Sequence, residues 1–370
     1  MFVIKATWPA EFQAEISFTK RPSGIRKTNS HTRRNSMQLR NAIIALFLCT
    51  PFFLFGQPVQ AKDKPVEIVF STYMPTSYGY LVQPLQEFMA QVEKETGGKV
   101  KFKFFHSGQL YKGKQEFAAL ERGEIDMAAP NDLYLTGIVP ETGISNLPFM
   151  WKTPASMQKS LDAGLWKLGI NDKFLKHNVV VLGTAAGGPY QFYAKGFAVT
   201  GPESIKGKKW GVSGSTASKA IELMGGSPTT MSSGELYLAL QRKTIDGCTR
   251  PLITGLGRKL YEVVDNISVT NMAYFTCMLA INKEKWDSLP KDVQAVMIKA
   301  AKQRDKRQLE LLEAFMTDAI KQYEKNGVHV HIATPEELDL FKKEMIPVQK
   351  WWLGKVTGGK KYIDFIAAHH

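Results

Sequence analysis

The sequence predicts an α/β protein of two domains joined by hinge strands, with one long helix lying across both. Three observations carry this. Apolar runs of strand length alternate with helical spacing from Val66 to Ala129 in the order β-α-β-α-β, the signature of a parallel sheet covered by helices. A second series of strands starts after the small-residue stretch Ala185-Ala186-Gly187-Gly188-Pro189. A single helical pattern then runs unbroken from Pro290 to Asn326. At about 1.5 Å per residue that helix spans roughly 55 Å, more than one domain can bury.

The elements follow in order. Val66 to Phe70 is an apolar strand that ends in the polar turn Ser71 to Tyr80. A helix follows with Leu81, Leu85, Phe88, Met89 and Val92 on one face, stopped by Gly97-Gly98. Val100 to Phe105 alternates as a strand, Glu116 to Arg122 reads as a helix and Ile125 to Ala129 as a strand. Leu147 to Trp151 reads as an exposed aromatic turn before a helix over Pro154–Leu168. Val179 to Thr184 is a strand, and the small residues after it are a natural crossing between domains. Gln191 to Lys195, Lys209 to Val212 and Ser227 to Met231 are strands of the second domain, with a helix from Ser215 to Met224. Within Gly225–Asn282, a strand, a helix and a short strand ending at Asp246-Gly247 precede a long strand, Tyr274 to Asn282. Pro290 and Gly327 bracket the long helix with the residues that suit its two ends.

The formal charge is +14. Residues 1–61 contribute +6 of it, eight Lys/Arg against two Asp/Glu, which leaves +8 on the remaining 309. Those lysines are scattered, and no basic stripe of a nucleic-acid surface is present. Residues 37–61 read as a signal peptide: Arg40, an apolar run Ala42–Phe55, then Val59-Gln60-Ala61 at the cleavage site. The run is short for a membrane span. Bulky residues before Cys49 argue against a lipoprotein box, and Arg33-Arg34 lacks the apolar residues of a twin-arginine signal. Residues 1–36 read as an upstream extension from a mis-assigned start. The mature chain is expected to be exported, in domains 62–187 with 275–318 and 188–274 with 319–370. Export permits a disulfide, and the sequence leaves Cys248 and Cys277 either paired or as two buried free thiols.

No catalytic constellation stands up, and no cofactor or metal is expected. Gly211 to Ser215 has its second glycine one place early for a nucleophile elbow. Gly201 to Lys209 has the wrong glycine spacing for a phosphate loop. His329 and His331 share a strand face without a third ligand, and Glu121 and Glu124 are solvated at a helix end. What remains is Tyr73, Asn131, Tyr190, Trp210 and Arg250, polar and aromatic residues at strand ends, where α/β sheets bind ligands.

The run Met231-Ser232-Ser233-Gly234-Glu235-Leu236-Tyr237-Leu238-Ala239-Leu240-Gln241, followed by Ile245-Asp246-Gly247, resembles the periplasmic solute-binding proteins of tripartite ATP-independent periplasmic (TRAP) transporters. Agreement continues through Ser107 to Leu110, Gly123 to Asp126, Leu147 to Phe149, Ile205 to Lys209, Lys259 to Val263, Ile281-Asn282, Trp286 and Leu289-Pro290, over nearly all of 65–355. The resemblance implies a periplasmic-binding-protein-like fold that is not an enzyme. Such a protein captures a small organic anion between two domains and delivers it to the membrane permease subunits of an ion-gradient-driven transporter. It implies ligand contacts at Tyr73, Asn131, Tyr190 and Arg250, with Trp151 and Phe192 as cleft neighbours. Members of the family carry an Arg in the strand that here reads Lys209-Trp210-Gly211-Val212, where it pairs with a substrate carboxylate. Its absence puts a dicarboxylate in doubt. Arg250 is then expected to supply the cation, with Trp210 adding a stacking face for an apolar or aromatic body. A binding protein serving an ABC importer or a membrane sensor, or an exported enzyme, are the alternatives. The oligomeric state stays open between monomer and dimer.

Overall fold

The computed structural model describes residues 64–369; the extension 1–36, the signal peptide 37–61 and Cys49 lie outside the described residues. The chain opens with β1 (Val66–Ser71), α1 (Gly79–Glu95), β2 (Val100–Phe105), α2 (Glu116–Glu121) and β3 (Met127–Ala128). Both β2 and β3 lie parallel to β1, as the alternation of elements predicts. Leu81, Leu85, Phe88, Met89 and Val92 form the buried face of α1, and Gly97 and Gly98 end the helix with φ of 61° and 78°.

Next come α3 (Pro154–Asp162) and α4 (Ile170–Lys176). The helix expected over Pro154–Leu168 stops early because Gly164 takes φ 107°, a conformation that breaks helical bonding. The Leu147–Trp151 turn, expected to be exposed, is buried at both ends and half-buried between: Leu147 is 1% and Trp151 2% accessible, with Pro148, Phe149 and Met150 half-buried. The Trp151 indole Nε1 donates to Ser160 Oγ at 3.1 Å. An amphipathic ring that finds a polar partner goes inside.

The largest departure is β4 (Val179–Ala194), one 16-residue strand where the sequence suggests two with a crossing between. Its small residues do not break the strand; they bend it. The pairing with β9 shifts register between Val181 and Gly183 and again between Ala186 and Pro189, as β-bulges do. At Gly187 an added Cβ would lie 2.2 Å from the Phe275 ring. Gly187→Ala is therefore expected to destabilise the fold by about 1–3 kcal/mol through overpacking, read as a lower urea midpoint; an unchanged midpoint would contradict the close approach.

The chain continues through β5 (Lys209–Val212), α5 (Ser215–Leu223), β6 (Ser227–Thr230), α6 (Leu236–Gln241), β7 (Gly247–Pro251), α7 (Leu252–Gly257), β8 (Asn266–Val269) and β9 (Tyr274–Asn282). The short strand expected to end at Asp246-Gly247 instead begins there. Asp246 exchanges bonds with Lys209, its N–H donating to Lys209 O and its carboxylate accepting from Lys209 N, both at 2.8 Å. It is thus the turn that sets the register of β7 beside β5. The last elements are α8 (Lys283–Ser288), α9 (Lys291–Lys325), β10 (His329–Ile332), α10 (Pro335–Lys355) and α11 (Lys360–Ala368).

The sheet runs β2-β1-β3-β9-β4-β7-β5-β6, with β8 and β10 branching from β4. Long strands β4 and β9 lie at its centre, and the carboxyl ends of β3, β5 and β7 approach one another there. Helix α9 packs along α1 and β4. Its first half buries Val293, Met297, Ala300 and Ala301 in a core shared with α1, and its last turns bury Ala319 and Tyr323 in a core shared with β7 and β8. Pro290 precedes it and Gly327 follows at φ 77°.

Candidate functional site

The site is built where β3, β5 and β7 end beside the interior of β4. Asn131 follows β3 in extended conformation and caps the 3₁₀ turn Asp132–Leu135, its Oδ1 accepting from Leu133 N at 2.9 Å. Its Nδ2 donates to Tyr190 Oη at 3.4 Å, and Tyr190 Oη shares a 2.9 Å bond with Ser213 Oγ just past β5. Tyr190 is paired in the ladder with Pro251, next to Arg250. Residues from three strand ends and from the interior of β4 thus meet in one buried polar line.

Arg250 is 1% accessible. Its Nη1 donates to Thr249 O at 2.6 Å, and its Nη2 to Met231 O at 2.7 Å and Val212 O at 3.4 Å, while Nε has no partner. Among the described residues no carboxylate pairs with it. A buried cation without a counter-charge is costly and rare, and three backbone carbonyls only partly offset it. A guanidinium has five N–H groups; three are used here, and Nε–H and one Nη1–H, on different edges of the group, are left for external acceptors.

Sequence reasoning missed several neighbours. Tyr134 Oη accepts from Ser233 N at 2.9 Å, and the Tyr134 ring meets Tyr73 edge-on at 5.5 Å. Gly113 makes room for both rings, since a Cβ there would lie 2.8 Å from Tyr134 and 3.1 Å from Tyr73. Lys114 Nζ donates to Thr230 O at 2.7 Å, and Arg258 Nη2 to Tyr73 O at 3.1 Å. Burial raises the Tyr134 and Tyr190 hydroxyls, with the Arg250 charge opposing in both, so both phenols are protonated donors beside that cation. Tyr134 was legible: it is three residues past Asn131, and a 3₁₀ turn puts i and i+3 on one side. Lys114 and Ser233 carry no such pattern.

The structure does not bring Trp210 and Trp151 to Arg250. Successive residues of a strand face opposite ways, and Trp210 takes the face of Phe192 and Phe197, with rings 5.5 Å and 6.2 Å away. Phe192 lies between Trp210 and a stacked Phe341. Trp151 packs edge-on against Tyr274. Cys248 and Cys277 are free and buried, their thiols pushed up by burial to about 12 and about 11, which keeps them protonated and poor nucleophiles. His331 is bonded to Glu337, and the described residues contain no group of three His, Cys, Asp or Glu able to hold a metal.

One titration belongs to the floor of the site. Asp132, beside Asn131, accepts from Thr276 N at 3.0 Å and has its other oxygen unpartnered. Burial pushes it up to about 7 against the opposing pull of Ser145 and Thr276. Burial also holds Glu116 well above the carboxylate range. Folded-state values raised above unfolded ones give stability that is full below the unfolded value and is lost as pH climbs through the folded one. The melting temperature is therefore expected to rise from pH 8 to pH 5, Asp132 alone contributing about 3 kcal/mol at roughly 1.4 kcal/mol per pH unit. Asp132→Asn should flatten the rise; a melting temperature that falls over this range would contradict it.

Residues 70–354 match the family model described as bacterial extracellular solute-binding protein, family 7. The C4-dicarboxylate-binding periplasmic protein DctP of Rhodobacter capsulatus is 28% identical over 253 residues, 65% of this chain and 72% of its own length. The crystal structure of a TRAP periplasmic solute-binding protein from Chromohalobacter salexigens with bound D-glucuronate superposes with TM-score 0.76 at 24% identity, covering 81% of this chain and 98% of that one. Another, from Sulfurospirillum deleyianum with bound succinate, superposes with TM-score 0.76 at 23% identity over 82% and 99%.

Proposed function

Since the chain belongs to the family 7 bacterial extracellular solute-binding proteins, a family of binding proteins rather than enzymes, we propose that it is the periplasmic solute-capturing subunit of a TRAP transporter. It takes up a small organic carboxylate and passes it to the membrane permease subunits. The observation that carries the ligand class is Arg250, a buried guanidinium with N–H groups to spare and no carboxylate within ion-pair distance among the described residues. A ligand carboxylate would supply the missing charge through charge-assisted bonds. Asn131, Tyr190 and Tyr73 complete the site around it, while Trp210, Trp151 and Phe192 belong to the apolar core. The relatives named for C4-dicarboxylates, and the neighbours holding D-glucuronate and succinate, are consistent with an organic acid.

The partition into 62–187 with 275–318 and 188–274 with 319–370 gives two bodies able to open about the bulges of β4. Bonds such as Lys114 to Thr230 and Ser233 to Tyr134 close one against the other. A leader at 37–61 is the expected export signal. The test is a thermal-shift screen of the chain from residue 62 against organic acids, because a ligand bound only to the folded state raises the melting temperature. Stabilisation by one or more carboxylates supports the reading; stabilisation only by neutral or cationic solutes contradicts it.

A further inference from the structure

Resting on the reading of the chain as a two-body solute-binding protein, we infer that Arg258 is a closure latch. Its guanidinium, carried at the end of α7, holds the Tyr73–Tyr78 turn of the other body and so governs how long a captured solute stays. It is a positioning residue, acting through Tyr73 and not on the solute. Two properties of the contact carry this.

The first is where the arginine finds its partners. Helix α7 begins two residues past Arg250 and is capped at its far end by Arg258, so the two arginines flank one short arm. Arg258 Nη2 donates to Tyr73 O at 3.1 Å and Nε to Tyr78 Oη at 3.4 Å, with the guanidinium carbon 5.6 Å from the centre of the Tyr78 ring. Among the described residues the side chain has no other hydrogen bond and no ion pair. An arginine that braced its own body would bond within that body; this one bonds only to the turn between β1 and α1. Ser77 Oγ adds a 3.0 Å bond to Gly257 O, giving a partner to a carbonyl of the last helical turn. Tyr73 is itself an expected ligand contact, so the latch fixes the backbone of one wall of the site from the opposite body.

The second is the residue beside it. Gly257 is helical and has no positive φ, so its backbone does not require glycine, and alanine would suit the helix better. What requires glycine is the ring across the interface: a Cβ at Gly257 would lie 2.6 Å from Tyr78 Cδ1 and 3.0 Å from Ser77 Oγ. Tyr78 is 1% accessible, and a ring packed that tightly has no room to step aside. The glycine thus permits contact between the bodies and does nothing for the helix that carries it. A pair of bonds and a surface cleared for them meet at one point of the closing face.

The experiment measures release as well as affinity. The chain from residue 62 is titrated with succinate, D-glucuronate, D-erythronate and pyroglutamate, and stopped-flow intrinsic fluorescence gives association and release rates for each acid that binds. Because the contact forms after capture, Arg258→Gln is expected to release every such acid about tenfold faster, with association within about twofold of the parent. The melting temperature of the acid-free chain should not change. Arg258→Lys should behave the same, since an ammonium cannot reach both Tyr73 O and the Tyr78 hydroxyl. Gly257→Ala should also speed release without lowering the acid-free melting temperature. An unchanged release rate in Arg258→Gln or in Gly257→Ala overturns the latch. Parental release in Arg258→Lys overturns it as well, because Arg258 would then act as a charge on the acid. So does an acid-free melting temperature lowered by several degrees in Arg258→Gln, since the contact would then belong to the resting fold. A folded parent chain that binds none of the four acids removes the solute-binding reading and the latch with it, whereas a parent that binds while the variants release normally removes the latch alone.

Discussion

Arg250→Gln is expected to weaken binding of the natural anion by about 3 kcal/mol, roughly 100-fold in Kd, measured by calorimetry with whichever acid stabilises the protein most. The effect is large because the guanidinium is held before the ligand arrives: Thr249 O, Met231 O and Val212 O fix its plane, so little side-chain freedom is lost on binding. Arg250→Lys should not restore affinity, since an ammonium cannot span those carbonyls and a carboxylate in one plane. A Kd within about twofold of the parent protein, a difference of under 0.5 kcal/mol, would mean that the anion is held elsewhere.

Arg304→Met carries the largest expected effect on stability. Arg304 is 2% accessible at the middle of α9. Its Nη1 donates to Cys277 O of β9 and to Gln308 Oε1, both at 3.2 Å, and its Nη2 lies 2.9 Å from Asp305 Oδ1. Asp305 Oδ2 accepts from Thr184 N, and Gln308 Nε2 donates to Ala186 O. These three residues fasten α9 to β4 and β9 where the register of β4 shifts. Burial raises Asp305 above the carboxylate range while Arg304 pulls it down. Removing the arginine alone leaves a buried acid without its counter-charge, a loss of about 3–5 kcal/mol in urea unfolding. The double variant Arg304→Met with Asp305→Asn should recover part of it. A single-variant loss below about 1 kcal/mol would contradict the structural role, since surface substitutions lie within that range.

The legible parts of the fold were those with strong periodicity. The α1 face, the parallel β1–β3 start and the Lys291–Lys325 helix are all written in apolar spacing and punctuated by Gly97-Gly98, Pro290 and Gly327. The 16-residue β4 was not, because Gly187 and Gly188 read as a break when in fact they let Phe275 and Tyr80 pack against a continuous strand. Asp246-Gly247 read as a strand end for a similar reason: a turn residue marks a boundary without saying on which side the strand lies. Arg250, Tyr190 and Asn131 are expected ligand contacts from their place in the sequence, and the structure joins Asn131 to Tyr190 and sets Arg250 beside them. Trp210 was misjudged in its surroundings, because alternation on β5 sends it to the opposite face from Gly211. Ser233 and Lys114 act through contacts far apart in sequence, which no local pattern encodes.

The most direct measurement is a crystal structure of the chain from residue 62 with the acid that stabilises it most. The ligand carboxylate is expected within hydrogen-bond distance of Arg250 Nε, with Tyr190 and Asn131 beside it. A carboxylate bound away from Arg250, its guanidinium touching only Thr249, Met231 and Val212, would contradict the proposed mode of capture.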